Sequence, residues 1–217
     1  MNGQTLDSQS SQRDLGVLIS DSCLPANQCA QAAKKANQTL GRINRSFSCK
    51  TSDIMVPIYK VFIRPHLEYG VTSWCPWHRK DIDTLEKIQH RATKRMSNIN
   101  RTYEERLSQL DLTTLEEHRL RGDAIETFKY LKGFLDINRD SLFKTNKLSQ
   151  PKTRHQHSYM PLVVPRANLD LRKNFFSIRA AKLWNRLPSS VRESSTVNKF
   201  KNAYDAFVES IKPIRFM

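Results

Sequence analysis

Phosphoryl transfer through two divalent ions needs carboxylates that can hold both about 4 Å apart. The 217-residue chain has no two adjacent aspartates that could do so. Its nearest pair, Asp81 and Asp83, stands where a helix is expected to begin, and a carboxylate there is accounted for by the positive end of the helix dipole. His155 and His157 have metal-ligand types at close spacing, but they lie in a strongly basic stretch that repels cations. No nearby Cys or carboxylate completes a coordination shell around them. Cys23, Cys29, Cys49 and Cys75 are too widely spaced to wrap one tetrahedral ion. A phosphate-cradling glycine loop, a GxGxxG turn, an HExxH helix and a GxSxG elbow are all missing from the sequence. Ser, His and Asp occur throughout without any pattern that argues for a triad. The sequence therefore predicts no catalytic residue, no metal site and no cofactor.

Charge points elsewhere. Lys and Arg number 36 against 21 Asp and Glu, giving a net charge of +15 and a pI near 9.9. A balance that basic favours nucleic acid (RNA, DNA or an RNA–DNA hybrid) or, less often, an anionic membrane surface. No apolar run approaches the roughly 20 residues that span a bilayer, and the polar N-terminus has no secretory h-region. The expectation is a soluble protein with four reduced thiols, nuclear or cytoplasmic, with no membrane partner. Residues 144–186 carry ten Lys and Arg against Asp170 alone. Trp74, Trp77 and His78 stand beside Arg79 and Lys80, and Tyr159 lies in the basic stretch. These aromatics could stack on bases or serve as core and helix-end cover.

Helical periodicity sets where these groups would stand. Residues 13–20 read as one strand, which leaves open hydrogen-bonding edges that need a partner elsewhere or missing. A first helix, with Asp21 or Ser22 as cap and Pro25 in its first turn, carries an apolar stripe of Cys29, Ala32, Ala33, Ala36, Leu40, Ile43 and Phe47. A second runs from about Ser52 to Arg64, with Ile54, Ile58, Val61 and Phe62 inward and Pro65 as its stop. A third opens near Asp81 and buries Ile82, Leu85, Ile88, Ala92 and Met96. Thr102/Glu105 and Thr114/Glu117 have capping-box form. The second box launches a helix through Leu120, Ala124, Phe128, Leu131 and Leu135. A short hairpin is expected around 162–164 and 169–171. Two further helices would carry Phe175, Phe176, Ile178, Ala181, Leu183 and Trp184, then Val197, Phe200, Tyr204, Phe207 and Ile211. The fold class is mainly α: a helical bundle and a helical C-terminal extension, with a short β hairpin and one N-terminal strand.

Seven segments in order carry a resemblance: DLGVLIS (14–20), RPHLEYGVTSW (64–74), LEKIQHRATK (85–94), LRGDAIETFKYLKG (120–133), RKNFFSIR (172–179), LWNRLP (183–188) and VNKFK (197–201). Together, over nearly all of 13–212, they resemble the region after the palm in LINE-type (jockey-like and chicken-repeat-like) non-LTR retrotransposon reverse transcriptases. The resemblance implies that residues 1–22 hold the last palm-strand region and 23–98 a thumb-like helical domain. Residues 99–143 would continue it, and 144–217 would form a basic loop or hairpin with C-terminal helices. It also implies that the endonuclease and the Mg²⁺-binding aspartates of the parent polymerase lie upstream of this point. The chain itself would then be a non-catalytic nucleic-acid-binding protein that can associate with a palm-containing polymerase chain. No cysteine-rich knuckle of the kind some LINE proteins carry is present. A thumb grips template–primer through backbone phosphates, so it needs Lys and Arg on a helical scaffold. The candidate contacts are Lys34, Lys35, Arg42 and Arg45 on the first helix and Arg91, Lys94 and Arg95 on the third. A second basic surface would use Arg166, Arg172, Lys173, Arg179 and Lys182. Two alternatives stand beside this reading: a helical module that binds protein partners, and a relic of a mobile element with no selected role.

Overall fold

Leu15 and Gly16 both adopt positive φ, 45° and 85°. Two such residues in succession make the tight turn whose twist matches that of paired strands. Residues 13–20 are accordingly not one strand. β1 (Ser11–Asp14) and β2 (Val17–Ser20) form an antiparallel hairpin in which Ser11 faces Ser20 and Asp14 faces Val17. β2 has its partner immediately upstream, so its open edge argues nothing about a missing sheet.

The structure is a computed structural model that describes residues 9–49, 51–96, 101–137, 141–145 and 161–211. It is mainly helical, with this single small sheet among the described residues. The chain divides into two units, Met1–Arg119 and Leu120–Met217.

In the first unit, α1 (Ala26–Ser46) starts at Pro25 without a side-chain cap. Asp21 instead accepts from Ser22 N at 2.7 Å, and the Ser22 hydroxyl meets that of Ser20 at 3.0 Å, so neither serves α1. The expected stripe is buried from Cys29 to Ile43, while Phe47 is 40% exposed because the backbone has already turned extended there. The three alanines on this face let α5 (Arg79–Met96) approach closely, and Leu85, Ile88, Ala92 and Met96 answer from its side.

Between them, α2 (Ser52–Ile58) runs into a π-helical turn (Tyr59–Ile63) and then α3 (Arg64–Glu68). Here the expected inner face is overturned at three of its four residues; Ile58 alone packs against the core, half-buried. Met55, Tyr59, Ile63 and Leu67 are fully buried, whereas Ile54, Val61 and Phe62 are 41%, 62% and 57% exposed. A spacing of four drifts around a 3.6-residue helix. The wider π turn absorbs that drift and keeps all four residues inward. Its five-residue bond from Arg64 N to Tyr59 O also explains why Pro65 does not end the segment, since the ladder is already re-phased where proline lacks its N–H. After Gly70, at φ 64°, α4 (Val71–Trp74) buries Trp74, whose indole donates to Tyr69 O at 2.9 Å.

Both expected capping boxes form. In α6 (Tyr103–Gln109) Thr102 N donates to Glu105 Oε2 at 2.8 Å, and at the start of α7 (Leu115–Lys132) Thr114 N donates to Glu117 Oε2 at 3.2 Å. A directional hydrogen-bond chain ties the unit together. Tyr59 OH donates to Gln89 Oε1 at 2.6 Å, and Gln89 Nε2 donates to Tyr103 OH and to Thr113 O, each at 2.9 Å. Tyr103 OH then donates to Glu86, which also accepts Leu115 N at 3.1 Å. Burial raises the Glu86 carboxyl above its ordinary range, although both donors favour its anion. Burial likewise raises the Tyr59 and Tyr103 phenols, so both stay protonated donors.

The second unit gathers α7 from Ala124 onward with α8 (Asp170–Lys173), α9 (Phe176–Arg186), α10 (Ser189–Arg192) and α11 (Val197–Ile211). Its core is aromatic: Phe200 stacks on Phe128 at 4.4 Å and on Trp184 at 6.0 Å. Leu120 is 43% exposed rather than inward, and Phe175, at 45%, precedes α9 rather than packing within it. The hairpin expected at 162–171 does not form. Leu162 makes one bridge to Thr145, and Asn185 bonds its N–H and C=O at 2.8 and 2.9 Å in place of a strand. Residues 170–173 coil into α8.

The register can be checked by denaturation. Met55→Ala should cost about 2–5 kcal/mol, as for a fully buried methionine. Val61→Ser, at an exposed site, should change stability by no more than about 0.5 kcal/mol. A larger loss from Val61→Ser than from Met55→Ala would contradict the π-turn register.

Candidate nucleic-acid interface

α1 contains no Asp or Glu, and neither does the second half of α5, residues 87–96. Lys34, Lys35, Arg42 and Arg45 on α1 and Arg91, Lys94 and Arg95 on α5 are all exposed. None of the seven makes an ion pair among the described residues. The two helices pack together with their apolar faces inward, so their cations stand outward on stretches that carry no acid of their own, with Glu104 of α6 near His90 as a neighbouring carboxylate. Arg91 Nη1 donates to Asn37 Oδ1, which brings Arg91 of α5 against α1. Like charges so placed repel one another, and that repulsion is relieved by an anion. The acids of α5 lie in its first half, where Asp83 pairs with Arg79 at 2.9 Å.

The cations of the second unit are less uniform. Arg166, Arg172, Lys173 and Lys182 are exposed. Arg172 lies over the exposed Phe175 ring at 5.0 Å, and Lys173 pairs with Asp170 at 2.7 Å. Arg179, expected on the contact surface, is a largely buried bridging residue instead, its side chain 17% exposed. Its Nε and Nη2 meet the two oxygens of Asp123 at 2.8 and 3.1 Å, its Nη1 donates to Asn174 O at 2.9 Å, and it covers the Phe176 ring. The side chain of Asp123 is only 4% exposed, so this bidentate pair satisfies a buried carboxylate and ties α7 to α9. Arg121 also makes a bidentate pair, with Asp205 of α11 at 2.7 Å, but that carboxylate is 43% exposed; the hydrogen bond is the chief cause that raises its guanidinium pKa. Lys147, Lys152, Arg154, His155, His157 and Tyr159 lie outside the described residues.

Two more arginines belong to the first unit's interior. Arg106, 2% exposed, reaches Arg101 O and Thr93 and lies over the Tyr103 ring. Arg119, 4% exposed, has two guanidinium nitrogens without a hydrogen-bond partner among the described residues. Burial pushes the neighbouring Cys29 thiol up to about 12, which makes it an inert core group. The other three cysteines are also free thiols. Trp74 and Trp184 are core residues, while Trp77 is half-buried with its ring tilted against His78. Among the described residues no group of three or more His, Cys, Asp or Glu could hold a metal ion, and no helix is long and apolar enough to cross a membrane.

An apolar groove of about 230 Å³ lies beside the cationic surface, lined by Thr39, Arg42, Ile43, Phe47, Ile58 and Phe62. The sequence pattern hid it, because Ile58 and Phe62, which line it from α2 and the π turn, fit an inward stripe equally well. Comparison with known protein families, with curated proteins and with solved structures returns no match.

Arg179 and Lys182 lie on the same helix and should behave oppositely. Arg179→Gln should cost about 3–5 kcal/mol by leaving Asp123 buried without its partner. Lys182→Gln should leave the thermal midpoint unchanged. Equal stability of the two variants in thermal denaturation would show that the Asp123 pair is not structural.

Proposed function

We propose that this chain is a non-catalytic nucleic-acid-binding protein of the LINE-type reverse transcriptase kind. Residues 13–212 would correspond to the thumb and C-terminal extension, with RNA, DNA or an RNA–DNA hybrid held by its phosphate backbone. The observation that carries the reading is the pair of acid-free stretches, α1 and the second half of α5. Seven exposed cations stand there on two helices fixed to each other, with no carboxylate on either stretch to neutralise them. Such a surface suits a polyanion of regular spacing and has no base-reading geometry. The order of the seven family-like segments supplies the family half of the proposal.

A second role is favoured by the exposed Ile54, Val61 and Phe62 and the groove beside them. Apolar strips of this kind dock protein partners, and the family reading names a palm-containing polymerase chain as the one to fit.

Binding to a labelled RNA–DNA hybrid, followed across salt concentration, tests the first role. Replacing Lys34, Arg42, Arg45 and Lys94 by Gln should weaken binding and flatten the plot of log affinity against log salt by about 3–4, at roughly 0.9 for each phosphate no longer neutralised. Replacing Lys129, Lys132, Lys199 and Lys201 removes the same charge and should cost much less. Equal losses would leave only diffuse attraction, and no binding by the unsubstituted chain near physiological salt would remove the proposal. With a primed RNA template, Mg²⁺ or Mn²⁺ and dNTPs, the chain alone should extend nothing.

A further inference from the structure

The hairpin turn, α1 and α3 enclose a groove of about 210 Å³ that is separate from the apolar one. It is lined by Gly16, Gln28, Gln31, Ala32, Lys35, His66 and Tyr69. Gln28, Gln31, Ala32 and Lys35 recur at three and four, so they form one stripe along α1. No carboxylate lines the groove. Lys35 makes no ion pair, and the half-buried Gln31 carboxamide has no hydrogen-bond partner among the described residues. Gln28 is already engaged, its Oε1 accepting Leu18 N at 2.8 Å, which fixes β2 against α1.

Tyr69 is the unusual member. The residue is 61% exposed, yet both its ring tip and its backbone are held. The hydroxyl donates to Leu15 O at 3.0 Å, and the residue's own carbonyl accepts the Trp74 indole N–H. The ring edge lies so close to Gly16 that a Cβ there would come within 3.3 Å of it, and Gly16 has a φ that disfavours any other residue. The hairpin turn thus presents an aromatic face to solvent in a fixed orientation. That is what base stacking needs from a platform, because the entropy of ordering the ring is already lost in the free protein.

We infer that this groove takes one unpaired nucleotide of a single-stranded segment, with its base on Tyr69 and its phosphate between Lys35 and His66. The inference rests on the nucleic-acid reading above and adds to it a strand type, single rather than paired, because a base inside a duplex has no free face to stack. Gln31 is the free amide positioned to hydrogen-bond the base or sugar. Lys35 adjoins Lys34, so the strand would pass directly onto the cationic surface of α1.

The test uses the full chain with fluorescein-labelled oligo-U and oligo-dT of about 12 nucleotides, with an RNA–DNA hybrid and with free UMP. Tyr69→Ala should weaken oligo-U binding roughly five- to 150-fold, the range for removal of one stacked base, while Tyr69→Phe retains most of it. Lys35→Glu, at an exposed position that leaves the core intact, should weaken oligo-U and lower its salt slope by about 0.7 or more. Hybrid binding should respond less than oligo-U to Tyr69→Ala. Unchanged oligo-U affinity in both Tyr69→Ala and Lys35→Glu, with the hybrid still bound, would overturn the groove and leave the backbone reading standing. UMP bound as tightly as the oligomer would overturn the assignment to a strand. No binding of any probe by the unsubstituted chain would remove both.

Discussion

The first unit depends on one hydrogen-bond chain, running Tyr59 to Gln89 to Tyr103 to Glu86 and ending on the backbone of α7 at Leu115. Every donor in it points the same way, so each member has its acceptor and none is left buried and unsatisfied. Leaving such a group unpaired costs about 1–3 kcal/mol, and here four elements share the consequence. The π-helical turn places Tyr59, α5 supplies Gln89 and Glu86, α6 supplies Tyr103, and α7 begins on the receiving carboxylate. Fixing Tyr59 inward also decides which residues of α2 and the π turn face out. The apolar strip of Ile54, Val61 and Phe62 follows from that one constraint.

The same constraint bears on charge. Gln89, fully buried, and Glu86 hold α5 against α6 and α7. That leaves Arg91, Lys94 and Arg95 on the solvent side, next to the acid-free α1. Arginine in this protein therefore has two distinct employments. Arg106, Arg119 and Arg179 are interior or bridging groups that organise packing. Arg42, Arg45, Arg91 and Arg95 have no carboxylate to answer and remain available to a polyanion. Net charge alone cannot separate the two sets, since every arginine in either counts the same toward +15.

Much of the helical framework was legible in the residues, because long amphipathic stripes and capping boxes are local signals. The stripe from Cys29 to Ile43, the one from Leu85 to Met96, and both Thr–Glu boxes stand where periodicity put them. What the sequence hid was non-local or off-period. A strict spacing of four over 55, 59, 63 and 67 drifts by about 120° around a regular α-helix, whereas Ile54, Ile58, Val61 and Phe62 make a tighter face there, of which only Ile58 packs on the core. Leu15–Gly16 is an uncommon turn pair, so a hairpin passed for a single strand. Arg179 looked like any other cation in a basic run because its partner, Asp123, lies 56 residues away. The Tyr69 groove was invisible for the same reason: Gly16, Lys35 and Tyr69 meet only after the hairpin has folded onto α1. The candidate cations on α1 and on residues 87–96 of α5 could be picked out by the lack of acids in those two stretches, and all seven are exposed. The second unit's contacts were assigned from charge density, which cannot tell a surface cation from a structural one.

A nucleic-acid backbone lying across α1 and the second half of α5 would shield those two helices before any other part of the chain. Backbone amide hydrogen exchange, read by mass spectrometry on the full chain with and without an RNA–DNA hybrid at about 150 mM salt, tests this most directly. Slowed exchange is expected mainly in Ala26–Ser46 and Arg79–Met96, with peptides of α11 unaffected. Protection spread evenly over both units, or concentrated away from α1 and α5 while the hybrid remains bound, would contradict it.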